Sequence, residues 1–379
     1  MDLNPPIEID SDDDAKWVPG EWIARGKKYE NIPAHVDAAR HCILQLPASV
    51  QSHFPPKNLP ISRLLLFDLP PVARDETLLD YTYTTMEPTR NIEDSLAFLA
   101  VPSRRVLQQM VSNFGQAWLD ANKSICTSLN PDIAYSFWIL TYWRDVTEAK
   151  RTWLQAEHWL HKTGGTHDEA ELKLQVRGIW SVVGWHGSLA GFGGLPISDL
   201  AKLFSNKYLN SRLVDAMLTL LSLRARIAGD EALIIGTTFA EFIRLLPPII
   251  DGAPAGPIAI SIGGQKYLKK YGSWFRISDH KRLYNVLYRD PNHWTTSLVN
   301  FEKKQIHYGD GLKWKRPETY FVGFQNWIEK YHGTEFGVSD DLVCAPQTDG
   351  FNCPIIAVNT IAHNEFGDTL WTKEKAKAM

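Results

Sequence analysis

Cysteine is scarce in this chain. Its 379 residues hold four, Cys42, Cys126, Cys344 and Cys353, scattered and without a C-x-x-C pair. That spacing excludes a disulfide scaffold and fits a reducing compartment. A secretory leader is missing as well: Met1 to Asp14 is acidic and has neither a basic start nor an apolar core, so the Asn122-Lys123-Ser124 sequon reads as incidental. Long hydrophobic runs are absent. The longest, around Ala134 to Trp143, is broken by Ser136 and Thr141 and falls far short of the ~20 apolar residues of a membrane span. A net charge of −3 at pH 7 argues against a polybasic arm, and 44% hydrophobic residues argue against a disordered or collagen-like chain. The expectation is an intracellular protein with no membrane partner and no cofactor. Nothing in the sequence sets an oligomeric state.

Tryptophan is abundant instead, with 14 in the chain. The length suits about two domains of roughly 100 to 200 residues each. Residues 1–30, acidic and holding Pro5, Pro6, Pro19 and Gly20, read as a flexible tail. Residues 31–190 read as a mainly helical, Trp-rich domain. A helix is expected from Asn130, with Pro131 at its first turn, to His161. Its Phe137, Trp138, Tyr142 and Trp143 would pack on a second helix bearing Val106, Leu107, Met110, Phe114 and Trp118, as core and not as an aromatic ligand cage.

The glycines between Gly184 and Gly194 mark a change of composition, and a second domain is expected over 195–379. It opens with an amphipathic helix over Ser205 to Ala228, ended by Gly229. Strands are expected over Leu283–Leu287, Thr295–Phe301 and Gln305–Tyr308, the last two joined by Glu302-Lys303-Lys304. Helical spacing returns from Arg316 to Tyr331, and a last helix should start near Cys353. This half is therefore α+β.

Three segments concentrate reactive side chains: Arg289-Asp-Pro-Asn-His-Trp294, Gln305-Ile-His-Tyr-Gly-Asp310 and Gln347-Thr-Asp-Gly-Phe-Asn-Cys353. Cysteine hydrolysis needs a thiolate, a base that takes and returns its proton, an acceptor that fixes the base, and donors for the oxyanion. His293 and Asp310 lie at the start and just past the end of the expected hairpin, so strand pairing can join them. Cys353, followed by Pro354 and an apolar run, falls at a helix N-terminus, where the dipole favours thiolate. Gln347, six positions earlier, can offer its amide beside the Cys353 backbone N–H. A lone cysteine or histidine would be a structural residue; the ordered set is not so easily dismissed.

The set resembles the ubiquitin-like-protein proteases, the SUMO-deconjugating and adenain-like cysteine peptidases, over roughly residues 200–379. The likeness rests on Asn292-His293-Trp294, the following strand and Glu-Lys-Lys turn, the Tyr-x-Asp ending at Asp310, and the glutamine six residues before the nucleophile. It implies an α+β fold of papain-like or adenain-like type. It also implies Cys353 as nucleophile, His293 as general base then acid, Asp310 as its orienter and Gln347 as oxyanion donor. Trp294 would roof a narrow channel for a Gly-Gly tail, to which glycine's missing β-carbon gives entry. Lys207-Tyr208-Leu209-Asn210 resembles the family's Trp-Leu-Asn helix start, so Tyr208 and Asn210 would line that channel. Tyr208 in place of Trp, Gly311 in place of Ser and Pro354 in place of Gly depart from the pattern. The implied reaction is hydrolysis after the C-terminal Gly-Gly of a ubiquitin-like modifier, SUMO before ubiquitin. Two alternatives share these residues: acyl transfer of the kind found in bacterial effector acetyltransferases, and a non-catalytic SUMO-docking module.

In the tail, Ile7-Glu-Ile9-Asp10 and the acids that follow resemble a SUMO-interacting motif, in which a short strand adds to a sheet edge. Ser11, with Asp14 three residues on, suits an acidophilic kinase. His35, His41 and Cys42 lack the pairing of a zinc site, and no metal is expected. Gly191-Phe-Gly-Gly194 reads as a turn and not a phosphate loop. The basic stretch of Lys266, Lys269, Lys270, Arg276, Lys281 and Arg282, interleaved with aromatics, reads as a solvated face before an acidic partner or nucleic acid. The short, Lys-rich ending after Cys353 suggests a fragment of a longer protein.

Overall fold

A computed structural model describes residues 55–56, 58–68, 80–89, 100–162, 167–246, 260–277, 280–289 and 292–372. Ile7, Ile9, Asp10, Ser11, His35, His41, Cys42 and the Lys373–Lys377 ending lie outside the described residues. The chain forms two compact units, 1–154 with 180–185, and 155–179 with 186–379.

In the first unit a short helix α1 (Ile61–Leu66) starts behind Pro60, and the chain beside it is tied to 183–185: Ile61 N–H donates to Val183 O at 3.0 Å, and Trp185 Nε1 donates to Pro56 O at 2.8 Å. Strands β1 (Tyr81–Thr84), β2 (Ser124–Thr127) and β3 (Asn130–Tyr135) form an antiparallel sheet in that order. Helix α2 (Arg104–Leu119) is capped by Ser103, whose Oγ accepts from Val106 N–H. Helix α3 (Trp138–Lys162) begins only after β3. The helix expected from Asn130 is thus a strand over its first six residues. Thr127 Oγ1 accepts from Asn130 N–H at 3.2 Å and fixes a tight turn, and Pro131 lies on the edge strand, where a missing N–H costs no ladder bond. The tryptophans fill the core. Trp118, Trp143 and Trp153 are fully buried, Phe114 meets Phe137 edge-on at 5.1 Å, and Trp153 meets Trp180 edge-on at 5.5 Å.

In the second unit, helix α4 (His167–Trp180), contributing up to Ile179, precedes a two-residue pairing of β4 (Ser188–Leu189) with β5 (Leu195–Pro196) and the short helix α5 (Ile197–Leu200). Helix α6 (Ser211–Ala228) starts six residues later than the apolar spacing suggests. Asn210 stops it: its Oδ1 accepts from Leu213 N–H at 3.1 Å, the geometry of an N-cap. Next come β6 (Ala232–Ile234), α7 (Thr237–Arg244), α8 (Ile262–Ile277), β7 (Arg282–Arg289), β8 (His293–Asn300), β9 (Gln305–Gly309), α9 (Glu318–His332), β10 (Gly337–Ser339) and α10 (Cys353–Phe366). The five long-range strands form one mixed sheet, order β10-β9-β8-β7-β6, antiparallel across β7, β8 and β9 and parallel at both ends.

Strand alternation sorts this sheet into two buried faces. Leu283, Leu287 and Val299 face Phe239 and Ile243 of α7, Leu268 of α8, and Phe324 and Trp327 of α9. Tyr284, Val286, Trp294 and Leu298 face Val214 and Leu218 of α6 and Cys353, Ala357 and Ile361 of α10. Each fully buried aliphatic or aromatic side chain contributes about 1.5–3 kcal/mol. Two contacts fix the layers closely. Thr296 Oγ1 donates to Ala357 O of α10 at 2.8 Å, and a β-carbon added at Gly323 of α9 would lie 2.0 Å from Ile243 O of α7. The basic stretch is divided: Lys266, Lys269 and Lys270 are exposed on α8, whereas Lys281 pairs with Glu231, and Arg282 with Asp230 and Glu365. Among the described residues no helix is long and apolar enough to cross a membrane, and no group of three or more His, Cys, Asp or Glu could hold a metal.

Candidate active site

The β8–β9 hairpin sets the separation of two of the four expected groups. His293 is the first residue of β8, and Asp310 follows the last residue of β9. Their side chains meet: His293 Nε2 lies 2.7 Å from Asp310 Oδ1, both residues buried. With Nε2 donating to the carboxylate, Nδ1 is the nitrogen left to exchange a proton. Asp310 is held from several sides. Its Oδ1 also accepts from Leu312 N–H at 2.8 Å, and its Oδ2 accepts from Tyr308 OH and Trp314 N–H, each at 3.2 Å. Burial pushes the Asp310 carboxyl up, but the hydrogen bonds from His293, Leu312 N–H and Tyr308 outweigh it and hold the group below its ordinary value.

Cys353 is the first residue of α10, with Pro354 in the first turn. Its sulfur sits against the backbone on both sides of His293: the thiol donates to Asn292 O at 3.8 Å, and Trp294 N–H donates to the sulfur. The pull of the helix N-terminus toward thiolate is opposed by burial. Burial dominates and pushes the thiol up to about 11, with Asp349 and Asp310 adding to the rise, while hydrogen bonds from backbone N–H groups only partly offset it. Burial thus favours the neutral thiol over the thiolate.

Gln347 approaches through a glycine. A β-carbon at Gly311 would come within 2.9 Å of Ala345 O and 3.2 Å of Gln347 N, so the 345–347 segment can lie against the loop after Asp310 only where a side chain is missing. Gln347 N–H donates to Gly311 O at 2.9 Å. The amide Nε2 donates to Asp349 O at 2.6 Å, and Oε1 is buried with no hydrogen-bond partner among the described residues. One hydrogen of that NH2 group is thus engaged and one remains.

No protein-family model matches the chain, and no curated protein matches it. Solved structures do. The C-terminal Ulp1 protease domain in complex with Smt3, the yeast ortholog of SUMO, is similar at 13% identity over 57% of this chain and 90% of that chain, with a TM-score of 0.40. The catalytic domain of the Chaetomium thermophilum Ulp1-like SUMO protease is similar at 13% identity over 60% of this chain and 87% of that one, TM-score 0.37. An ASFV protease is similar at 13% identity over 62% and 87%, TM-score 0.29.

Asn292 and Trp294, the residues on either side of His293, line a groove of about 560 Å³ together with Tyr208, Asn210, Thr237, Glu241 and Tyr288. Tyr208 is 47% exposed on its rim, while Trp294 is 6% exposed, packs against Tyr288 at 4.9 Å and forms a wall. Asn210 has a structural duty: it caps α6, and its Nδ2 donates to Asp199 Oδ2 at 3.0 Å. Three contributors are not assigned by sequence reasoning. Asn292 supplies the carbonyl under the thiol from a left-handed backbone, φ 91°, and its Oδ1 accepts from Tyr288 OH. Asp349 ties the loop before α10, its Oδ1 accepting from Phe351 and Asn352 N–H; an Asp a few residues ahead of an apolar helix is a readable cap signal. The Trp314 ring lies 4.7 Å from the His293 ring, tilted by 54° to it, and no sequence pattern announces it.

Proposed function

We propose that the chain is a cysteine peptidase that hydrolyses peptide or isopeptide bonds after the C-terminal Gly-Gly of a ubiquitin-like modifier, SUMO first. The observation that carries this reading is the buried 2.7 Å His293–Asp310 pair with the Cys353 sulfur bonded to the backbone on either side of that histidine. Cys353 attacks the carbonyl as its proton passes to His293 Nδ1, forming the S–C bond. The C–N bond breaks, and the same proton goes to the departing amine. Water activated by His293 then hydrolyses the thioester and regenerates the thiol. The Cys353 N–H and the remaining Gln347 amide hydrogen serve the oxyanion. Pro354 removes no donor from that pair. The tail lies in the Tyr208–Trp294 groove, and the acidic tail with Ile7, Ile9 and Asp10 serves as a second SUMO contact. The Trp-rich N-terminal region presents substrate or regulates access.

A second reading, a non-catalytic docking module, is favoured by one observation, the burial of Cys353, which pushes its thiol up. The test that separates them is reaction of the purified chain with SUMO and ubiquitin bearing C-terminal electrophiles, read by intact mass beside Cys353→Ser. The expected result is a single adduct lost in Cys353→Ser and favouring SUMO. No adduct from a folded chain that still binds SUMO would leave the docking reading.

A further inference from the structure

On the histidine side of the nucleophile lies a face that the tail groove does not include. The segment after Asp310, Gly311 to Arg316, brings three cations and no acid. Trp314 is 42% exposed, with one side of its ring 4.7 Å from the His293 ring. The Arg289 guanidinium stands 5.1 Å from the same ring, fixed by Nη1 donating to Lys315 O at 2.5 Å. Lys315 and Arg316 are paired with Glu318 and Asp340. Arg289 and the exposed Lys313 have no carboxylate partner among the described residues, and Lys313 stands on a left-handed backbone, φ 58°. The tail groove lacks such cations: its lining holds no Lys or Arg, and its single carboxylate, Glu241, is paired with Arg244.

The general acid must reach the nitrogen that departs, so the polypeptide attached to that nitrogen leaves past His293. What it meets there is an exposed indole with the Arg289 guanidinium against it and the exposed Lys313 next to it in the chain. We propose that Arg289, Lys313 and Trp314 form a docking face for an acidic polypeptide segment next to the scissile amide on its leaving-group side. Carboxylates of that segment pair with Lys313 and Arg289, and its backbone or side chains lie on the Trp314 ring. The inference rests on the peptidase reading for the direction in which the leaving group departs. It adds a preference for the protein from which a modifier is removed, not for the modifier.

The test uses the full chain and SUMO joined by an isopeptide bond to the lysine of short peptides that are otherwise matched, one with Asp and Glu flanking the lysine and one with Gln and Asn. Wild type is expected to show a kcat/KM ratio, acidic over neutral, of about five to ten at low salt, as one or two exposed ion pairs supply. Lys313→Glu should bring that ratio to about one or below, and Arg289→Gln should lower it part-way. A wild-type ratio of one, or a ratio unmoved by Lys313→Glu, overturns the proposal. Absence of turnover on both substrates sinks the peptidase reading by itself. The face is then decided by anisotropy of the labelled acidic peptide on Cys353→Ala: binding weakened about fivefold by the further Lys313→Glu change sustains it, and equal binding of acidic and neutral peptides overturns it. A short oligonucleotide that binds this face more tightly than the acidic peptide would assign the cations to nucleic acid and overturn it too.

Discussion

The protonation state of Cys353 yields the sharpest prediction. An ordinary cysteine thiol stands at 9.0 on the same scale, and burial of Cys353 raises it to about 11. At pH 7 the thiolate fraction is then ~10⁻⁴, and alkylation should be about a hundredfold slower than for an unshifted thiol. The perturbation is pH, from 6 to 10, with iodoacetamide as the probe and peptide mass spectrometry to follow Cys353 alone. The rate should climb about tenfold per pH unit through pH 9, without a plateau, in wild type and in His293→Ala alike. Turnover of a SUMO amide should nevertheless proceed at neutral pH and be lost in His293→Ala, because the base takes the proton only as the carbonyl is attacked. An alkylation plateau below pH 8 that disappears in His293→Ala would refute this. It would show a resting thiolate–imidazolium pair that outweighs burial.

Asp310→Asn should lower kcat/KM by about 10³ to 10⁴, since an amide cannot hold His293 Nε2–H in the same way, with little change in SUMO affinity by calorimetry. The same group makes stability sensitive to acid. Its folded value lies below 3.8, so its contribution is full above the unfolded value and is lost as the pH falls through the folded one. Denaturant midpoints should therefore drop less between pH 4 and pH 2 in Asp310→Asn than in wild type. Gln347→Ala should cost about 10² to 10³ in kcat, the worth of one oxyanion donor, while labelling of Cys353 by iodoacetamide persists. Gly323→Ala should destabilise by at least 1–3 kcal/mol, because the backbone carbonyl of Ile243 cannot yield as a side chain would; calorimetry should show a lowered Tm, and an unchanged one would deny the close α7–α9 crossing.

The candidate site was legible wherever chemistry and periodicity coincide. His293, Asp310 and Cys353 are polar or reactive residues at the ends of strongly patterned elements, so a hairpin and a helix start suffice to place them. The same was true of β7 to β9, short runs rich in apolar and β-branched residues that are buried on both faces of the sheet. The helix assigned from Asn130 failed because Asn-Pro is equally good at entering an edge strand after a turn, and only pairing with β2 decides between them. Helix α6 was drawn too long because Leu209 is apolar and buried, although Asn210 caps the helix behind it. Tertiary contacts were the least legible part. Nothing local ties Asn292 O to a sulfur 61 residues away or sets Trp314 beside an imidazole. The rise in the Cys353 thiol depends on how completely α10 is covered, a sum over neighbours that no spacing rule contains.

The mixed sheet has one more consequence, for how the molecule avoids its own kind. Its outer strands, β6 and β10, are three residues long, while β7 and β8 run for eight. A neighbouring chain seeking to extend the sheet finds only a few backbone groups at either border, too few for a stable ladder. For a protein proposed to handle extended, glycine-ended tails, this keeps an incoming strand from settling along the sheet margin as a dead-end partner.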